Sequence, residues 1–283
     1  MDTLTSVKNW VEEKFPLRQL ALKDSAFSYR EQGGTDDPVI AFLHGIGSAS
    51  GSWAHQLADL SDCYRVIAWD APGYGKSTSL QANSPSAADY ALALGNFFSG
   101  LKIAPEILVG HSLGALMAGA YAANGGEIAK ALVLVDPANG YGAADEATRK
   151  ERLSTRLGNM ERLGPKRLVA ARSSALLSKA ASPDALELVR LNMSQLRVKG
   201  HEQGARMLST GNLMADAKKY DGPVLVMCGS EDSVTPEDGC RKIANAYAEA
   251  EYHTLPGVGH ASYVENPDQF NKVLLGFVEA LNA

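Results

Sequence analysis

Residues 106–114 read Glu106-Ile107-Leu108-Val109-Gly110-His111-Ser112-Leu113-Gly114. A short run of strand character leads directly into G-x-S-x-G, and residues 113–124 continue as an apolar helix. Turning from strand to helix this sharply strains the central residue and leaves no space for a side chain on either flanking glycine. The turn lifts the Ser112 hydroxyl clear of the sheet. The helix N-terminus beneath it favours developing negative charge.

Outward from this turn, strands and helices alternate. Val39-Ile40-Ala41-Phe42-Leu43, Tyr64 to Trp69, Ala131-Leu132-Val133-Leu134-Val135 and Pro223-Val224-Leu225-Val226-Met227 are apolar on both faces. Central strands of a parallel sheet covered by helices have this character. Helices are predicted over 86–101, 236–248 and 267–281, a last strand over 251–255, and an antiparallel hairpin at the sheet edge over 20–31. The pattern predicts a doubly wound α/β fold. It breaks between Ala138 and Gly211, which are rich in Leu, Ala and Arg and punctuated by Pro165, Pro183 and Gly200. Several short helices are expected there, as a cap over the C-terminal edge of the sheet, where open α/β sheets bind ligands. The expected organisation is a core of 1–137 and 212–283 with a helical cap of 138–211.

The chain has 283 residues, is 45% hydrophobic and carries a net charge of −5, which suits a globular core and disfavours binding to nucleic-acid phosphates. No apolar run approaches membrane-spanning length. The N-terminal segment has early acids (Asp2, Glu12, Glu13) and no apolar stretch, so no secretory signal is read. Cys63, Cys228 and Cys240 are far apart and form no CxxC pair, so idle thiols in a reducing cytoplasm are expected. Within 138–211 stand nine arginines and four lysines against seven acids, a local charge of +6, leaving −11 for the rest. A basic lid on an acidic body suits an anionic, carboxylate-bearing small molecule. A solvated basic face complementing the acidic core explains the same count.

A serine needs a base to become a nucleophile. Of six histidines, His260 follows the last strand in the glycine-rich Leu255-Pro256-Gly257-Val258-Gly259-His260, which puts it at the sheet edge beside the turn. His253 lies within the strand and reads as structural. His111 is expected to point away from the serine, and His201 is placed in the cap within reach of substrate. The base needs a carboxylate to hold its tautomer. Asp232 follows the strand at 223–227, and Glu231 and Asp136 are the other acids that could serve. Ser112, Asp232, His260 is the chain order expected of this architecture. His44-Gly45-Ile46-Gly47 closes the first central strand with small residues, so the N–H groups of Ile46 and Leu113 are candidates for an oxyanion hole. Gly75-Lys76-Ser77 is not a phosphate loop, because position 70 is Asp where that motif needs glycine.

In these pieces, together with Asp70-Ala71-Pro72-Gly73-Tyr74-Gly75-Lys76-Ser77, the chain resembles the α/β-hydrolase superfamily from about Leu20 onward. The resemblance implies an eight-stranded, mostly parallel sheet with a helical cap after strand six, and hydrolysis through an acyl-enzyme without metal or organic cofactor. A serine at the turn argues against haloalkane dehalogenases and epoxide hydrolases, which resemble this fold and carry aspartate there. A carboxylic-ester or lactone hydrolase similar to the 3-oxoadipate enol-lactonase group fits the basic cap. Carbon–carbon bond hydrolases of aromatic ring-cleavage products usually have Asn before the serine and Trp after the base, where this chain has His111 and Ala261. An amidase or a cofactor-free haloperoxidase-like enzyme shares the same triad. Receptors and scaffolds on this fold are the non-catalytic alternative. Trp53, Tyr74, Tyr141 and Met214 are candidates for the pocket wall or for core packing.

Overall fold

The computed structural model of the chain describes residues 3–128 and 130–282. Met1, Asp2, Ala129 and Ala283 lie outside the described residues, and with them the acidic reading of Asp2. The strands are β1 (Arg18–Ala21), β2 (Ala26–Gln32), β3 (Val39–Leu43), β4 (Arg65–Trp69), β5 (Ile107–His111), β6 (Ala131–Val135), β7 (Val224–Gly229) and β8 (Ala250–Leu255). The helices up to β6 are α1 (Thr3–Lys14), α2 (Ala54–Asp59), α3 (Ala87–Leu101) and α4 (Leu113–Ala123). Four more stand between β6 and β7: α5 (Glu146–Arg172), α6 (Pro183–Met193), α7 (Val198–Thr210) and α8 (Leu213–Ala217). The last are α9 (Glu237–Ala244), α10 (Ser262–Glu265) and α11 (Pro267–Ala280).

The eight strands form one sheet in the order β1-β2-β4-β3-β5-β6-β7-β8. β1–β2 and β2–β4 pair antiparallel, and every pairing from β4 to β8 is parallel. This is the expected α/β-hydrolase sheet, with its hairpin at the edge. Residue alternation sends Leu43, Leu108 and Leu134 to one face and Phe42, Val109 and Val133 to the other. The first face is covered by α3, α4, α8 and α9 through Phe97, Leu116, Leu213 and Ile243. The second is covered by α1, α2, α6 and α11 through Val11, Leu57, Leu188 and Leu274. Burying one such side chain contributes about 1.5–3 kcal/mol, so a doubly covered sheet makes a stiff platform.

Parallel register brings the strand ends to one edge. Leu43 pairs with Gly110, His111 with Val135, and Val135 with Met227. Ile46, Ser112, Asp136, Asp232 and His260 all follow these ends. His253 sits on the outermost strand, β8, half-exposed and 3.5 Å from Glu251, so its place is an exposed edge and not the core. Trp53 and Tyr74 are fully buried in the packing, with Trp53 stacked on Tyr263.

Candidate active site

The chain passes from β5 to α4 through Ser112 at φ 52°, ψ −111°, a conformation that side chains rarely adopt. The site is held by backbone bonds: the Ser112 N–H donates to the Val135 carbonyl at 3.0 Å, and its carbonyl accepts from Ala115 and Ala138. Glycine is required on both sides. A side chain at Gly110 would stand 2.5 Å from the Gly114 carbonyl, and one at Gly114 would collide with the Leu43 and His44 carbonyls. Tight packing of β3 against the start of α4 thus puts the His44-Gly45-Ile46 loop beside the serine. Among the described residues, the N–H groups of Ile46 and Leu113 donate to no backbone carbonyl.

His44 is buried and bridges two strand ends. Its Nδ1 lies 2.8 Å from the Gly45 carbonyl, and its Nε2 accepts from the Ala71 N–H at 3.1 Å. Both contacts are satisfied by one neutral tautomer, and burial lowers its pKa accordingly. Asp70 fixes the adjacent loop by accepting from the Ser50 N–H at 2.7 Å and the Ser28 hydroxyl at 2.5 Å. Both of its oxygens are therefore occupied by hydrogen bonds from Ser28 and Ser50.

His260 Nδ1 lies 2.8 Å from Asp232 Oδ2. The other Asp232 oxygen accepts the N–H groups of Val234 and Thr235, at 2.7 and 3.0 Å, and the Thr235 hydroxyl donates to Oδ2 at 2.7 Å. Burial pushes the Asp232 carboxyl up, but the hydrogen bond and charge of His260, with Thr235, outweigh it and hold the group down at about 2. Asp232 is therefore an anion, His260 carries its proton on Nδ1, and Nε2 is left to accept one. Ser112 and His260 line a common cavity, with no hydrogen bond between their side chains among the described residues.

Asp136 does not partner His260. It accepts from the Gly229 N–H at 2.7 Å and the Ser262 hydroxyl at 2.6 Å, and burial, then the charge of Asp232, raises its pKa well above the carboxylate range. Asp136, Cys228 and Asp232 place ligand atoms within 4.8 Å of one another. They do not fit a metal. All four carboxylate oxygens already accept hydrogen bonds. The Cys240 contact, followed by burial, raises the Cys228 thiol above its ordinary value, so it stays protonated.

The cavity has a volume of about 280 Å³. Its floor is the sheet edge, and its roof comes from the helices and loops between β6 and β7, through Arg156, Leu168, Arg172, Leu196 and His201. Tyr141 lines it, whereas Trp53, Tyr74 and Met214 do not. His111 departs from expectation. Its ring does not turn away from Ser112 but lines the same cavity, with Nε2 2.9 Å from the His260 carbonyl and the two rings 4.8 Å apart. Gly45 leaves the ring its space, since a side chain there would stand 2.9 Å from His111 Nδ1. Burial, then the charge of His260, lowers His111 to about 3, so it remains neutral. Sequence reasoning also missed α10 and Glu265, whose carboxylate accepts from the Gly259 and Ser178 N–H groups at 2.9 Å each and ties the His260 loop to the roof. A lone glutamate in a four-residue helix gives no periodic signal.

The Alpha/beta hydrolase family model matches residues 40–273. The chain belongs to the α/β-hydrolase family. It is 29% identical to RutD of Klebsiella pneumoniae, provisionally named a carbamate hydrolase, over 86% of this chain and 92% of that protein. Among solved structures it resembles the enol-lactonase of Burkholderia xenovorans (TM-score 0.83, 24% identity, 93% of this chain and 100% of that one). It also resembles a thermophilic esterase of Thermogutta terrifontis (TM-score 0.81, 19% identity, 94% and 99%). These α/β hydrolases share its fold, and the family makes this chain a hydrolase. Among the described residues, no helix of this hydrolase is long and apolar enough to cross a membrane.

Proposed function

We propose that the chain is a serine hydrolase that cleaves a carboxylic ester or lactone through an acyl-enzyme. The reading is carried by one arrangement: Ser112, on a strained turn, shares a cavity with a histidine whose Nδ1 is tied to an ionised aspartate. His260 Nε2 takes the Ser112 proton as the hydroxyl attacks the carbonyl carbon. The Ile46 and Leu113 N–H groups receive the oxyanion. Each such donor typically lowers the barrier by about 2.7–4 kcal/mol. The leaving oxygen departs with the proton from His260. Water then repeats the sequence and frees the acid. Asp232 keeps the imidazole in the required tautomer and stabilises its charged form.

The likeness to RutD over most of both chains supports a second substrate in the same apparatus, a carbamate, whose carbonyl carbon is attacked in the same way. The test is turnover of p-nitrophenyl esters, small lactones and aryl carbamates by the purified chain and by Ser112→Ala, with intact-mass detection of a fluorophosphonate adduct. Adduct formation and turnover that both vanish in Ser112→Ala, with a loss of about 10⁴-fold or more in kcat, are expected. Turnover that survives the substitution overturns the reading. Serine-dependent turnover of carbamates alone replaces the ester with the carbamate. Activity only on amides or on carbon–carbon substrates removes the ester and lactone assignment.

A further inference from the structure

Helix α5 is broken at Gly164-Pro165, where Gly164 takes φ 66° and ψ 170°. Only glycine adopts this conformation readily, and proline cannot supply the next helical N–H. Along a straight helix, residues 156 and 172 would be about 24 Å apart. The break instead lets Arg156, before it, and Arg172, after it, line the same cavity as Ser112. Neither has an ion-pair or hydrogen-bond partner among the described residues. The ion pairs of the roof, Lys150–Glu146 and Arg190–Glu187, use other residues. No Asp or Glu lines the cavity among the described residues.

His201 joins the two arginines. It is 8% exposed, and its Nδ1 is buried with no partner. Burial, then the charges of Arg156 and Arg172, lowers it to about 4. Burial, then the charge of Arg156, likewise lowers Arg172. The three groups therefore act on one another electrostatically: the buried His201, the half-buried Arg156 and the exposed Arg172 line a wall with two cations and, among the described residues, no anion. Leu168, Val189, Leu196 and Leu208 supply an apolar wall. At about 280 Å³ the cavity is at the lower end of small-molecule pockets.

The geometry points to a carboxylate-binding subsite in the roof: Arg156, Arg172 and His201 hold a second, free carboxylate of the substrate while Ser112 attacks its ester or lactone carbonyl. The guanidinium fork matches a carboxylate, and each charge-assisted hydrogen bond is about twice as strong as a neutral one. The substrate is then the monoester or lactone of a short dicarboxylic acid, or a short ester with a carboxylate on its leaving group. This rests on the serine-hydrolase reading and narrows it.

Two substrate pairs test it. One is mono-p-nitrophenyl glutarate against its methyl ester, and the other is 4-carboxyphenyl butyrate against its methyl ester. The wild type is expected to prefer the free acid in at least one pair by about tenfold or more in kcat/KM, through a lower KM. Arg156→Gln and Arg172→Gln should each reduce that preference about tenfold, the worth of one charged hydrogen bond. Arg156→Lys, which keeps the charge, should reduce it less. Melting curves establish that each variant is folded. Equal kcat/KM for acid and methyl ester in both pairs, or substitutions that lower both members alike, overturn the subsite. If no ester is turned over, the serine-hydrolase reading fails first, and the subsite is then judged by binding alone. Glutarate should raise the melting temperature of Ser112→Ala and not that of Ser112→Ala with both arginines changed to Gln. A rise in neither, or in both, overturns it.

Discussion

The floor and the roof of the cavity treat polar groups in opposite ways. On the floor, the groups around Ser112 are anchored by hydrogen bonds. Asp232 accepts hydrogen bonds on both oxygens, His260 is fixed through Nδ1, and the Ser112 backbone is pinned by Val135, Ala115 and Ala138. In the roof, among the described residues, Arg156, Arg172 and the buried Nδ1 of His201 have no protein partner. An anchored floor suits steps in which charge develops on positions known in advance. Cations on a cavity wall that make no protein ion pair among the described residues suit a group that has to arrive from solution. Reaction type is thus written in the floor and selectivity in the roof.

The sharpest way to break this division is at Asp232. Asp232→Asn keeps the shape but offers the histidine the wrong tautomer, and kcat should fall about 10⁴-fold with little change in KM. The same variant has a signature in stability. The folded carboxyl, at about 2, releases its proton more readily than an unfolded one near 3.9. Its contribution, about 2 kcal/mol, is therefore present above about pH 4 and lost as the pH falls through about 2. Urea unfolding of wild type and variant across that window should show the wild type losing this margin and the variant not.

A smaller effect is expected at the break in α5. Gly164→Ala puts a side chain on a backbone that disfavours it, so stability should drop by about 1–3 kcal/mol in urea unfolding. If the break is what brings the arginines together, the preference for free acids should also fall, by up to about tenfold, with kcat on neutral esters little affected. A variant that loses stability and keeps its preference would separate the break from recognition. The smallest effect is predicted for Arg167→Gln, an exposed cation of the same helix that does not line the cavity. Preference should stay within about twofold. A larger change would assign recognition to the net charge of the roof and not to the two arginines.

The floor was far more legible in the sequence than the roof, for a physical reason. Gly110, Gly114 and Gly45 are dictated by backbone approaches that tolerate no side chain, so the local string already encodes the geometry. The apolar runs of β3 to β7 encode their own burial. Chain order alone does not separate Asp232 from Asp136, since both follow strand ends and both lie between Ser112 and His260. The structure distinguishes them by partners, because Ser262 and Gly229 occupy Asp136. The roof has nine arginines in similar helical surroundings, and no periodicity singles out residues 156 and 172. Their selection depends on a fold-back at Gly164, visible in the sequence only as a Gly-Pro dipeptide. The ring of His111 was misplaced because alternation along β5 gives the side of the sheet but not the reach of a side chain at its end.

The insertion also sets an order in time. β5 and β6 pair between residues 107 and 131, whereas β6 and β7 pair between 135 and 227. Closing the longer loop from a disordered chain costs about 1 kcal/mol more in entropy, and contacts so distant in sequence form late. The turn bearing Ser112 belongs to the early half, and Asp232 and His260 to the late one. During folding, and during synthesis from the N-terminus, the proposed nucleophile is therefore placed before its proposed base. On the proposed assignment, the hydrolase acquires its reactivity only when the last two strands dock.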